Sequence, residues 1–194
     1  MKGRKGMMGI GTLIIFIAII LVAAVASMVL IQTSGSLQQR SLKTGKQTEK
    51  AISTGVTVTA IDATNGNDSK LDVIEMTCRL RSGSSPVKLS NTLITMDTQY
   101  VFQRLNYGGT DTQANTTHYN VTYLQKGAAW LPGYIGDGDV VKIAWNISKT
   151  GGQSEGLGED EEVRIYIIPR RGQSTYISFI TPEIIKKERI VLYP

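Results

Sequence analysis

Cysteine and histidine are almost missing from this sequence: its 194 residues hold one of each, Cys78 and His118. A single cysteine excludes an intrachain disulfide and any cysteine-rich metal centre. His118 is the only candidate for histidine chemistry, and neither this scarcity of histidine and cysteine nor the distribution of the glycines supports a nucleophile triad, a zinc site or a phosphate loop. No cofactor and no catalysis are expected. Cys78 follows Ile74 and Met76 and precedes Leu80 in an apolar/polar alternation, the pattern of a buried strand position. His118 ends the polar stretch Asn115-Thr116-Thr117-His118 and reads as a solvated loop or strand-edge residue.

A concentrated basic face is missing too. The net charge is +5, but three of the cations, Lys2, Arg4 and Lys5, fall in the first six residues. Arg40, Lys43, Lys46 and Lys50 stand against Glu49, and residues 51–194 carry 14 basic and 15 acidic side chains. The body of the chain is close to neutral, which argues against a nucleic-acid partner, since neutralising phosphates needs clustered Lys and Arg. The basic excess lies instead beside an apolar segment, where a membrane surface would meet it.

The longest absence is of charge itself: none occurs between Gly6 and Gln39. Residues 7–31 are almost wholly apolar and as a helix would extend roughly 37 Å at 1.5 Å per residue, against a hydrocarbon core of about 30 Å. The positive-inside rule keeps Lys2, Arg4 and Lys5 in the cytoplasm and sends the remainder outside. Three processing routes fit such a segment. A secretory signal needs an apolar core of about 7–15 residues, shorter than this one, although residues 23–27 supply small side chains for a cut. A plain membrane anchor needs no cut. A pilin-like leader places a basic pair and a glycine directly before the apolar run, as Arg4-Lys5-Gly6 does.

Apolar residues recur on every side of the helix between Ile10 and Ile31, so it has no polar face to offer water. Ala18, Ala23, Ala24, Ala26 and Ser27 are small enough to admit neighbouring helices closely. Helical spacing continues through Leu37, Ser41, Thr44 and Thr48, but Ser34-Gly35-Ser36 predicts a bend or frayed turn, because a glycine in a helix interior costs about 1 kcal/mol.

The ordered run Arg4-Lys5-Gly6, Met7-Met8-Gly9-Ile10-Gly11-Thr12-Leu13-Ile14, Phe16-Ile17-Ala18 and Leu21-Val22-Ala23-Ala24-Val25-Ala26 resembles the N-terminus of archaellins, the archaeal flagellins of the type IV pilin-like superfamily. The likeness continues through Leu30-Ile31-Gln32-Thr33-Ser34-Gly35 and Leu37-Gln38-Gln39. It implies a leader of residues 1–6 removed by a prepilin-type peptidase between Gly6 and Met7, which makes Arg4, Lys5, Gly6 and Met7 the processing site. It further implies a subunit that polymerises with itself or other archaellins into the extracellular flagellum used for swimming, its precursor held in the membrane. Bacterial type IV pilins usually carry a glutamate five residues into the mature chain; Gly11 stands there, which favours an archaellin over an adhesion pilin. The third reading, a membrane-anchored extracellular binding domain, predicts an intact N-terminus and no polymer.

From Gly55 the pattern changes to alternation punctuated by Gly, Asn, Asp and Ser, which reads as all-β. Strands are predicted at 56–61, 71–80, 87–96, 99–105, 119–124, 140–145, 163–168, 176–180 and 190–193, with turns at Asn65-Gly66, Tyr107-Gly108-Gly109 and Gly136-Asp137-Gly138; together they fit a β-sandwich. Ile143, Trp145, Val163, Ile165 and Ile167 are expected in the core. The fold class is therefore α+β: a hydrophobic helix over 7–50, then a sandwich over 51–194, for which the archaellin resemblance implies an immunoglobulin-like form. Four sequons, at Asn67, Asn115, Asn120 and Asn146, fall in this exported part as candidate N-glycosylation sites, and archaellins are often glycosylated. Asp137-Gly138-Asp139 and Glu159-Asp160-Glu161-Glu162 could offer oxygens to a hard cation but lack the ordered spacing of a calcium loop, so solvated turns are the simpler expectation.

Overall fold

The computed structural model describes residues 3–64, 70–110, 115–147 and 156–193, with side chains from Gly9 onward. Two compact units are present, Met1–Thr48 and Glu49–Pro194.

Helix α1 spans Gly3–Ser53 without interruption. Where a bend or frayed turn is predicted at residues 34–36, the helix is unbroken. The helix's own hydroxyls fold back on its carbonyls around that point: Thr33 Oγ1 donates to Val29 O at 2.9 Å and Ser36 Oγ to Thr33 O at 2.9 Å. Such bonds satisfy the hydroxyls inside the helix, and about 1 kcal/mol from one glycine is small against a run of this length.

The β-unit is built from β1 (Val56–Thr64), β2 (Val73–Leu80), β3 (Val87–Lys88), β4 (Thr92–Thr98), β5 (Phe102–Thr110), β6 (His118–Gln125), β7 (Tyr134–Ile135), β8 (Val140–Asn146), β9 (Glu162–Pro169), β10 (Thr175–Ile180) and β11 (Arg189–Tyr193). Nine of these strands run β10-β9-β4-β5-β6-β8-β2-β1-β11, while β3 and β7 pair separately. β5 turns this order into a sandwich. Its first half pairs antiparallel with β4, Ile94 opposite Leu105, and its second half pairs in parallel with β6, Asn106 opposite His118. A strand that changes partners midway carries the chain from one layer to the other. The change of partner falls between Leu105 and Asn106, and a register break within the β6 pairing follows between Tyr107 and Gly109. A Cβ at Gly108 would lie 3.0 Å from His118 Cβ and 3.1 Å from Tyr119 O, and Gly109 has φ of 122°, so this bulge against β6 needs both glycines. Tyr107-Gly108-Gly109, expected as a turn, is thus a bulge within a strand.

Alternation does the rest. Along β9 exposed and buried residues strictly alternate, sending Val163, Ile165 and Ile167 inward. They meet Ile94 and Met96 of β4, and the opposite layer supplies Met76, Cys78, Val121, Ile143 and Trp145, all buried. Tyr119, fully buried, donates its hydroxyl towards Leu89 O at 2.8 Å and Thr92 O at 3.0 Å, fixing the chain between β3 and β4. The segment predicted as one strand over 87–96 is split there, because Leu89–Asn91 forms a 3-10 turn that buries Leu89.

Candidate functional site

The feature of α1 that calls for a partner is its apolar surface. From Ile10 to Ile31 every large hydrophobic side chain is exposed, from 49% at Ile17 to 73% at Ile31. Burying one such side chain is worth about 1.5–3 kcal/mol, so the fifteen between Ile10 and Ile31 represent on the order of 20 kcal/mol per chain even after neighbouring turns cover part of each. That exceeds the roughly 5–15 kcal/mol by which a whole domain is ordinarily stable. The helix is long and apolar enough to cross a membrane.

The surface is prepared for burial. Thr12 Oγ1 donates to Gly9 O at 2.9 Å and Ser27 Oγ to Ala23 O at 2.8 Å, so the hydroxyls within the apolar run ask nothing of their surroundings. A Cβ at Gly9 or Gly11 would meet nothing within 4 Å, so no contact within the chain requires these glycines. With Ala18, Ala23, Ala24 and Ala26 they leave shallow places along the helix where another backbone can come close. Arg4, Lys5, Gly6 and Met7 lie in the first turns of α1.

The sequons divide. Asn67 lies outside the described residues. Asn115 is exposed in the segment leading into β6, and its Thr117 is exposed as well. Asn120 is within β6 opposite Ala144, flanked by buried Tyr119 and Val121, with its Oδ1 buried and unpartnered. Asn146 ends β8 half-buried, its N–H bonded to Asn115 O at 3.2 Å, and its Ser148 lies outside the described residues.

The acidic segments turn out to have structural uses. Asp139 is buried rather than solvated: Oδ1 accepts the Gly127 N–H at 2.6 Å and Oδ2 the Gly136 N–H at 2.7 Å, which ties two loops together. Glu161 accepts the Gly158 N–H at 3.2 Å. Glu162 forms a two-point pair with Arg164, both bonds 2.9 Å, and that hydrogen bonding holds its carboxyl below the usual range. Among the described residues no three acidic, histidine or cysteine side chains converge on a common point. Cys78 is fully buried, and burial pushes its thiol far up, away from the reactive thiolate. His118 is exposed, with Nδ1 2.8 Å from Thr117 Oγ1. One group went unread in the sequence. Lys88, Arg170 and Arg171 line a single cleft, and the Arg170-Arg171 doublet was its only local sign.

A long apolar helix followed by a β-sandwich fits more than one of the readings above, and comparison with known proteins decides the family. The family model described as archaeal-type flagellin matches residues 6–179. The chain belongs to the archaeal-type flagellin family. It is a structural subunit of the archaeal flagellar filament. Flagellin B5 of Pyrococcus abyssi is 31% identical over 220 residues, covering 97% of this chain and 99% of its own length. Among solved structures, the archaeal flagellum of Methanospirillum hungatei matches this flagellin with a TM-score of 0.71 at 14% identity, covering 96% of this chain and 99% of that one. The flagellin FlaB1 of Methanocaldococcus jannaschii matches with a TM-score of 0.64 at 20% identity, covering 72% and 97%. At such identities the likeness is one of fold: helix followed by β-domain.

Proposed function

We propose that this flagellin is made as a membrane precursor, loses residues 1–6 to a prepilin-type peptidase at Gly6–Met7, and then buries residues 7–31 among the same helices of other subunits. In this reading residues 51–194 face solvent outside the cell, and the filament serves swimming. The observation that carries the proposal is the uninterrupted apolar surface of α1 from Ile10 to Ile31, exposed on every side. Only lipid and other apolar helices can cover such a surface, and moving from one to the other keeps it out of water throughout. Arg4-Lys5-Gly6 supports the cut at its position, since removing it leaves the apolar run at the new N-terminus.

N-terminal sequencing of the exported protein is expected to begin at Met7. Met1 on the mature surface form would remove the peptidase step, and a start near Ala26 would restore the secretory-signal route.

Among the described residues the exposed sequon asparagine is Asn115, and glycosylation is expected there. Peptide masses from native filaments should carry glycan there, and Asn120 should be unmodified because it is half-buried within β6 between buried Tyr119 and Val121, with its Oδ1 buried. Unmodified Asn115 beside glycosylated Asn120 would reverse the assignment.

A further inference from the structure

At one end of β9, Lys88, Arg170 and Arg171 line a cleft of about 340 Å³ whose walls include Pro86, Asn91 and Tyr134. All three cations are exposed, none meets a carboxylate among the described residues, and no acidic residue lines the cleft. Lys88 Nζ stands 5.8 Å from the centre of the Tyr134 ring, and the Arg170 N–H donates to Asn91 O at 3.0 Å, so the rim is held in place. The charge is therefore displayed on an ordered surface rather than on a loose loop.

Beyond the other end of β9 is its counterpart. Glu159 and Asp160 are exposed on a turn whose shape is fixed from both sides. Thr181 Oγ1 accepts the Glu161 N–H at 2.7 Å and donates to Gly158 O at 2.7 Å, while Leu71 and Leu157 exchange backbone bonds of 3.0 and 2.9 Å. Asp160 has φ of 54°. Neither Glu159 nor Asp160 is in an ion pair among the described residues, although Glu159 accepts the Ile185 N–H at 3.4 Å and Lys186 and Lys187 follow. The eight residues of β9, at about 3.4 Å each, set the two charged ends roughly 27 Å apart.

We propose that in the filament the Lys88/Arg170/Arg171 cleft receives the Glu159–Asp160 turn of a neighbouring copy. A helical polymer of identical subunits needs contacts between two different surfaces of the same molecule, and opposite charges at opposite ends of one strand supply such a pair. Electrostatic complementarity of this kind selects register more than it adds affinity. The proposal rests on the filament reading and adds a contact between β-domains to the helical core.

The test uses the full chain as the sole subunit in cells that swim. Reversing the cleft with Arg170→Glu and Arg171→Glu, side chains that leave the core untouched, is expected to lower filament mass per cell about tenfold or more. Glu159→Lys with Asp160→Asn should do the same; asparagine is used because it accepts the left-handed backbone at that position. All four substitutions together should restore filaments. In filaments of otherwise unaltered charge, Arg171→Cys with Glu159→Cys should give an oxidant-dependent ladder of cross-linked subunits, with Cys78 buried out of reach. Unchanged filament mass after cleft reversal, no restoration by the combined variant, or filaments without a ladder would each overturn the contact while leaving the filament reading intact. Failure of the unaltered chain to form filaments would instead count against that reading.

Discussion

Ala24→Asp is expected to eliminate filaments while leaving the subunit exported and its β-domain folded. Ala24 lies within the apolar run, seven residues before its end at Ile31, on a helix proposed to be surrounded by lipid before assembly and by other helices afterwards. An aspartate at a membrane helix centre costs on the order of 3 kcal/mol by insertion scales, whereas Leu, Ile, Phe and Val each contribute about 0.3–0.6 kcal/mol in favour. Fourteen such residues between Ile10 and Ile31 supply about 4–8 kcal/mol, so the precursor still inserts. The polymer has no such reserve at this position, because each subunit brings a carboxylate into the same dry contact and a helical array repeats the defect without end. A suitable control is Leu131→Asp, at an exposed turn of the β-domain. Lys126 would be a poorer one, since its ammonium stands 4.3 Å from the centre of the Trp130 ring and its loss carries a cost of its own. Electron microscopy of cells carrying each variant as sole subunit, with circular dichroism of the detergent-extracted chain, gives the comparison. Normal filaments from Ala24→Asp would mean that the apolar helix is not the packed core.

The difference in legibility between helix and β-domain has a physical origin. Helix and strand signals are periodic and local, so residues 163–168 could be placed in a strand from alternation alone, and Val163, Ile165 and Ile167 do face the core. Partner choice is not local. Nothing between Phe102 and Thr110 announces that half the strand pairs with β4 and half, in parallel, with β6; two glycines that form a bulge look the same in sequence as two glycines in a turn. Asp139 was hidden for a related reason. Asp137-Gly138-Asp139 has the composition of a solvated turn, and only the approach of Gly127 makes one of its carboxylates a buried acceptor. Trp130 packs edge-on against Tyr123 with ring centres 5.7 Å apart, a contact made across its own loop. The basic cleft combines residues from the β3 region and the β9–β10 turn, which are far apart in sequence and meet only because β4 lies beside β9. The apolar helix, by contrast, carries its requirement within a single run of residues, and so its role could be read before any packing was known.

Trp145→Ala is expected to remove most of the stability of the β-domain, and Trp145→Phe only a minor part. Trp145 is fully buried at the end of β8, opposite Ile74 of β2, in the centre of the sandwich. Truncating a buried tryptophan to alanine costs about 3–5 kcal/mol through lost transfer energy and the cavity left behind. For a domain near 150 residues that corresponds to a fall in melting temperature of about 10–15 °C, and it approaches the whole margin of a domain at the weaker end of the usual range. Phenylalanine separates the two properties of the side chain. The indole Nε1 is buried with no hydrogen-bond partner among the described residues, so replacing the indole by a benzyl ring forfeits no polar contact there and removes an unsatisfied donor. The loss then reduces to the missing ring volume, about 1–2 kcal/mol, offset in part by relief of that donor. Thermal melting of the detergent-solubilised chain, followed in the far-ultraviolet β-sheet signal while α1 remains helical, measures both. Export should follow the same order, because the unfolded fraction of a subunit with little margin is removed by proteolysis before it can assemble. Equal melting losses for the two variants would mean that Nε1 has a partner in solution and that the indole is held by more than its volume.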